Sequence, residues 1–218
     1  MASFIVILIL SYLVGSIPTS ILAARWLRGI DIRQHGSGNA GATNVFRVLG
    51  PGPGTAVMLI DLLKGVFAVG VIARLRIAGG EPPEFMYPNG DGWLMVAAGG
   101  AAVLGHIYTL YAGFKGGKGV ATGAGVVVAL APVPVLVGIG LFAIIVWTTR
   151  YVSLASMAAA ASLPLTQLLR EWVFGVEISA PTMWFCAIVP FLILFTHRAN
   201  IGRLLHGTEN RIGRKTGR

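Results

Sequence analysis

VATGAGVVVALAPVPVLVGIGLFAIIVWTT, residues 120–149, is too long an apolar run for one helix and carries Pro132-Val133-Pro134 near its middle. Two prolines remove two backbone donors and favour a turn, so the run reads as two helices. That split decides the fold, because it sets how many times the chain crosses an apolar layer between two basic segments. The other apolar runs are Phe4–Ala24, Thr55–Ile77, Gly92–Tyr111, Val152–Leu169 and Pro181–Thr196. Mean hydropathy is +0.77 and charged residues make up only 11%, against ~25% in a soluble domain. An integral membrane protein follows, with residues 1–218 forming a single transmembrane domain and no polar segment left over for a soluble one.

Charge sets the orientation. Arg25, Arg28, Arg33 and Arg47 surround Asp31 after the first run, and Arg198, Arg203, Arg211, Arg214, Lys215 and Arg218 surround Glu209 after the last. Both segments belong in the cytoplasm. Glu81, Glu84, Asp91 and Glu177 lie in connections that then face outside. Lys118 and the basic tail both lie inside, so an even number of crossings must separate them. The split at the proline pair supplies the missing one. The expected fold is an all-α bundle of seven transmembrane helices, N-terminus outside and C-terminus cytoplasmic, with six helices as the alternative. The first half of the divided run would span only about 18 Å, less than the ~30 Å hydrocarbon layer. Phe4–Ala24 lacks a basic leader and keeps Gly15-Ser16-Ile17-Pro18-Thr19-Ser20 at its end, so it reads as a membrane helix and not a signal peptide.

Three polar clusters interrupt this apolar chain, all on the cytoplasmic side of the expected topology. The first is Gly36-Ser37-Gly38-Asn39-Ala40-Gly41-Ala42-Thr43-Asn44, with Arg47 beyond it. Its glycines permit close approach of backbone to a ligand, its hydroxyls and amides offer hydrogen bonds, and Arg47 offers a fork to an anion. Gly36 to Gly41 matches G-x-G-x-x-G, but no strand precedes it, so a dinucleotide fold is rejected; an ordinary interhelical loop capped by Ser37 or Thr43 is the plainer reading. The second cluster is Lys115-Gly116-Gly117-Lys118-Gly119, where backbone N–H groups and two ammonium groups meet the start of a helix, a phosphate-gripping combination. It is not a Walker A loop, since Ala112 and Gly119 stand where that motif needs Gly and Ser or Thr. The third, His197-Arg198-Ala199-Asn200, puts His197 and Asn200 on one helical face if the last helix continues inward. Histidine suits proton handling near neutral pH.

Elsewhere, Asp61 and Lys64 are spaced for an ion pair within the second run, and His106 is an intramembrane histidine that needs a partner. The single cysteine, Cys186, sits among apolar residues and excludes an intrachain disulfide. No metal-ligand cluster, G-x-S-x-G elbow or His-x4-Asp dyad is present, so no metal, cofactor or covalent intermediate is implied. The net charge of +9 is explained by topology and anionic lipid or substrate, with no nucleic-acid partner.

Taken together, the three clusters resemble the bacterial membrane acyl-phosphate:glycerol-3-phosphate acyltransferase family (PlsY). The resemblance also covers Gly15-Ser16-Ile17, Asp61-x-x-Lys64-Gly65, Gly105-His106 and Glu209 behind His197-x-x-Asn200-Ile201; Thr109 departs from it, standing where the family has proline. It implies transfer of a fatty acyl group from acyl phosphate to the sn-1 hydroxyl of glycerol 3-phosphate, giving lysophosphatidic acid and phosphate, at the cytoplasmic face of the bacterial inner membrane. On that resemblance His197, Asn200, Ser37 and Arg47 are the catalytic candidates. Gly36, Gly38, Asn39, Thr43, Asn44, Lys115, Gly116, Gly117, Lys118 and Gly119 are the substrate-binding ones, with the loop around Lys118 on the donor phosphate. Besides the substrates and membrane lipid, the resemblance is compatible with functional coupling to the enzyme that makes acyl phosphate. The rival class is a membrane transporter of anions or phosphoesters, which would want ionisable residues along a path through the midplane.

Overall fold

The structure is a computed structural model that describes residues 2–75 and 92–213; Glu81, Glu84, Asp91, Arg214, Lys215 and Arg218 lie outside the described residues. Ten α-helices are present among the described residues: α1 Ala2–Gly15, α2 Thr19–Arg28, α3 Ala42–Leu49, α4 Pro51–Gly70, α5 Gly92–Ile107, α6 Val120–Leu130, α7 Pro132–Thr149, α8 Val152–Phe174, α9 Ala180–Thr196 and α10 Arg198–Leu205. An all-helical solution is what lipid demands, since each backbone polar group must find its partner within its own segment.

Five segments are long and apolar enough to cross a membrane: Ser3–Arg28, Pro51–Arg74, Gly92–Ala112, Pro132–Thr149 and Val152–Phe174. The pair α9 and α10, bent by 62° at His197, makes a sixth if counted as one span, and α6 is a shorter apolar helix. The expected division of residues 120–149 is found at Ala131, one residue ahead of the proline pair. Pro132 opens α7 instead of lying in a turn, because the first helical position needs no N–H donor and its φ is already that of proline.

Two expected helices are each two. The first run breaks at Ser16-Ile17-Pro18, where Pro18 withholds an N–H and clashes with a continuing helix. The last run does not continue straight inward, the condition on which His197 and Asn200 would share one helical face; it turns at His197, and the Asn200 N–H donates to His197 O (2.8 Å) as α10 begins.

Close approach between helices fixes the bundle. A methyl group on Gly15 would overlap the Ala102 carbonyl, and one on Gly105 the Tyr12 carbonyl, so α1 and α5 meet backbone to backbone. Gly65 and Gly125 do the same for α4 and α6, against Thr122 O and Leu62 O. Without a hydrophobic drive between helices in lipid, such small-residue contacts supply the packing. Val103, Val126, Leu163, Phe185 and Ile193 form the main core between α5, α6, α8 and α9. Cys186 is buried in it as a packing residue. Leu136, Ile139, Ile144 and Trp147 on α7 and Trp172 on α8 face outward, as they should where the surroundings are lipid and its interface.

Candidate active site

The loop between α2 and α3 is wrapped around one amide. Asn44 is 1% exposed; its Oδ1 accepts the Ser37 N–H (2.9 Å) and its Nδ2 donates to Ile32 O (3.1 Å) and His35 O (2.9 Å). Gly36 is required at φ +61°, and a side chain there would strike Asn44 Oδ1. Asn44, expected on the substrate, therefore has its amide consumed in shaping the loop. Asp31 and Arg33 brace the loop's other side: the guanidinium binds both carboxylate oxygens, holding the Asp31 carboxyl down at about 2, and Arg33 Nη1 donates to Ala112 O (2.9 Å) beyond α5. What this leaves available is the exposed Ser37 and Gly38, the half-buried Asn39 and Thr43, and Arg47 on α3.

The glycine-lysine loop folds back on the end of α5. Gly116 N–H donates to Ile107 O (3.0 Å) and Gly117 N–H to His106 O (3.1 Å). These two amides were expected to face a phosphate; the carbonyls that a helix C-terminus leaves unpaired take them instead. Among the described residues, the amides of Lys118, Gly119, Val120, Ala121 and Thr122 stay ahead of the first α6 bond, Gly123 N–H to Gly119 O (2.7 Å), so the helix-start part of the expectation is retained. Gly119 turns the chain into α6 at φ +80°. Lys115 is exposed on the loop's outer side.

Lys118 is the junction of the site. Its Nζ donates to Asn200 Oδ1, and its carbonyl accepts Thr196 Oγ1 (3.1 Å), tying the loop to both sides of the α9–α10 bend. Burial lowers its pKa to about 8; Glu209 opposes that shift, while Arg203 and Arg47 add to it. Arg47 in turn feels Glu209 and Arg203. The fold thus gathers Arg47, Lys118, Asn200, Arg203 and Glu209, drawn from all three clusters, at one end of the bundle. His197 is 3% exposed, and its Nδ1 bonds Ile193 O (2.8 Å). A carbonyl can only accept, so Nδ1 carries a proton, and in the neutral form of the ring Nε2 holds the lone pair.

The sequence resemblance included Glu209 behind Asn200 but gave it no role, and did not include Arg203 or Ser153. Glu209 accepts Asn200 Nδ2 (2.7 Å) and Ser153 Oγ (3.1 Å) on Oε1, and Arg203 Nε (2.7 Å) on Oε2. One signal was legible: Glu209 is the sole acid after Thr196 in a strongly basic tail. Ser153 on α8 carried none. No hydrogen bond joins Ser37, Asn39 or Thr43 to the Lys118 group among the described residues, although the two loops touch where Gly117 packs against Ala40. The described residues hold no group of three or more His, Cys, Asp or Glu arranged for a metal ion.

An all-helical bundle whose basic and amide groups converge at one end is the frame of an integral membrane protein with a cationic, amide-lined cluster at that end. The sequence pattern described as glycerol-3-phosphate acyltransferase matches residues 5–207, and the chain belongs to that family of membrane enzymes. It is 48% identical to a glycerol-3-phosphate acyltransferase of Chlorobium luteolum, covering 97% of both chains, and 46% identical to one of Chlorobaculum tepidum, covering 99% of this chain and 100% of that one. Among solved structures it is similar to PlsY (YgiH), described as an integral membrane glycerol 3-phosphate acyltransferase. The glycerol 3-phosphate form aligns with a TM-score of 0.79 at 36% identity, over 97% of this chain and 96% of that one, and the lysophosphatidic acid form with a TM-score of 0.75.

Proposed function

We propose that this chain transfers a fatty acyl group from acyl phosphate to the sn-1 hydroxyl of glycerol 3-phosphate, in phospholipid synthesis at the cytoplasmic face of a bacterial inner membrane. The observation that carries the reading is the meeting of Lys118 with Asn200 and Glu209 within electrostatic reach of Arg47, in a chain whose relatives bear the acyltransferase name. In this reading α6 and the α9 segment each count as a crossing, giving seven helices with the N-terminus outside and the C-terminus inside.

The donor is an anhydride and is already activated, so the site has to orient and to neutralise. The sn-1 oxygen forms a bond to the acyl carbon, and the bond from that carbon to the phosphate oxygen breaks. Inorganic phosphate leaves with the electron pair, beside the Lys118 ammonium. Ser37, Thr43 and Arg47 hold glycerol 3-phosphate, with Gly38 and Asn39 lining the approach, and Gly119 brings the start of α6 to the donor phosphate. Asn200, braced by Glu209, keeps Lys118 Nζ aimed. The hydroxyl proton passes to a substrate phosphate oxygen, with His197 Nε2 as the alternative acceptor. No covalent enzyme intermediate forms.

A thioester donor fits poorly, because coenzyme A needs a surface for its nucleotide and the connections on the proposed cytoplasmic side are short. The test is a side-by-side assay of acyl phosphate, acyl-coenzyme A and acyl carrier protein with labelled glycerol 3-phosphate and purified protein. Turnover with acyl phosphate alone is expected. Comparable rates from a thioester, free of phosphotransacylase, would refute the donor, and no turnover with any of them would refute the enzyme.

A further inference from the structure

A second polar network lies inside the bundle, apart from Lys118 and Asn200. Asp61 on α4 is 1% exposed and Lys64, one turn on, is 4% exposed. Asp61 Oδ1 accepts Lys64 Nζ (2.7 Å) and Thr19 Oγ1 (2.5 Å), and lies 3.6 Å from His106 Nδ1. Lys64 Nζ also donates to Ile17 O (2.5 Å), and Thr109 Oγ1 donates to Ser16 O. The carbonyls of Ser16 and Ile17 belong to the break between α1 and α2: Thr109 satisfies Ser16 O inside an apolar interior, and Lys64 adds a second donor to Ile17 O, which also accepts the Thr19 N–H (2.9 Å). Thr109 performs this because it is not proline.

That account explains Asp61, Lys64, Thr19 and Thr109, and leaves His106 over. Asp61 and Lys64 already balance in charge, and a third ionisable group in a membrane bundle is costly unless it has work. His106 lies in the last turn of α5, and the glycine-lysine loop is built against it twice. Its carbonyl accepts the Gly117 N–H (3.1 Å). Its ring edge stands where any side chain on Gly117 would lie, with Ala40 O 2.9 Å from that same position on the other side. A cavity of about 10 Å³, room for about one water, lies between Thr19, His106 and Gly117. Lys118 is the next residue.

We propose that His106, held by its Nδ1 edge beside Asp61, is the positioning residue of the glycine-lysine loop: ring and carbonyl together clamp Gly117 and so fix the direction in which Lys118 leaves. His106 touches neither Asn200 nor Glu209 and acts only through the loop. The kinetic direction below rests on the reading that Lys118 holds the donor phosphate; the clamp itself does not.

The experiment measures hydrogen exchange over residues 113–119 together with separate KM values for acyl phosphate and glycerol 3-phosphate, in detergent-purified full-length protein. His106→Ala should speed exchange in that segment about tenfold or more while α8 and α9 keep their rates, and should raise the donor KM about tenfold with the glycerol 3-phosphate KM little changed. His106→Gln, whose amide reaches the place of Nε2, should restore most of both. Gly117→Ala, which forces loop and ring apart without removing the histidine, should give the same loop-limited loosening and serves if His106→Ala does not fold. Unchanged exchange over 113–119, or an increase spread evenly through the bundle, would overturn the clamp. Local loosening accompanied by a rise in the glycerol 3-phosphate KM would uphold the clamp and refute the assignment of Lys118 to the donor.

Discussion

Replacing Lys118 by alanine removes the one ammonium that touches Asn200 and leaves the Asn200 Oδ1 lone pair without its donor. Two unit charges ~4 Å apart attract by about 4 kcal/mol at an effective dielectric of 20, a value suited to a half-buried group near the protein surface. Part of that attraction is offset by drying the ammonium, a cost visible in the fall of the Lys118 pKa to about 8. Charge-assisted hydrogen bonds measured by mutation retain about 1.5–3 kcal/mol. A net loss of ~2–3 kcal/mol at the transition state corresponds to a fall of about 30- to 150-fold in kcat/KM for the acyl donor. The assay is phosphate release against acyl phosphate concentration, with the thermal midpoint in detergent as a check on folding. Lys118→Arg should fall between wild type and alanine, because the charge is kept while the larger fork displaces Asn200. A loss of less than about fivefold in a folded Lys118→Ala protein would refute the electrostatic role and leave Lys118 as a strut between the loop and α10.

Protonation of the same residue sets a pH limit. With its pKa lowered to about 8 by burial, Lys118 is charged below that pH and loses its proton above it, so kcat/KM should fall on the alkaline side with a one-proton slope, and Lys118→Arg should move that limb beyond the measurable range. Glu209→Ala would unseat Asn200, Arg203 and Ser153 together; a loss of about 1–3 kcal/mol in unfolding free energy and a matching fall in turnover are expected, read by denaturation and initial rates. The crossing assigned to α6 is tested in a Cys186→Ala background with single cysteines at Lys115 and Val133, which flank that helix: labelling from opposite sides of the membrane supports the count of seven, and labelling from one side removes the crossing assigned to α6.

Much was readable along the chain because membrane proteins write their constraints locally. Hydropathy and the scarcity of charge determined the all-helical class. Pro132 marked the boundary of two helices to within a residue, since a missing N–H is a property of the residue and not of its surroundings. The three clusters could be picked out because polar groups inside an apolar chain are expensive wherever they fold. What a side chain does with its hydrogen bonds was a different matter, because each donor or acceptor is spent once and only the tertiary structure decides on whom. Asn44 looked like a ligand for substrate and is consumed by Ile32, His35 and Ser37. Gly116 and Gly117 looked like phosphate binders and give their amides to the end of α5. Ser153 and His106 acquire their places from partners far away in sequence, Glu209 and Asp61, and the bend at His197 and the close glycine contacts of α1 with α5 and α4 with α6 arrange the helices that carry them. Sequence alone thus determined which residues are costly to bury, and the packed helices determined which of them are left with a free charge or lone pair to offer a substrate.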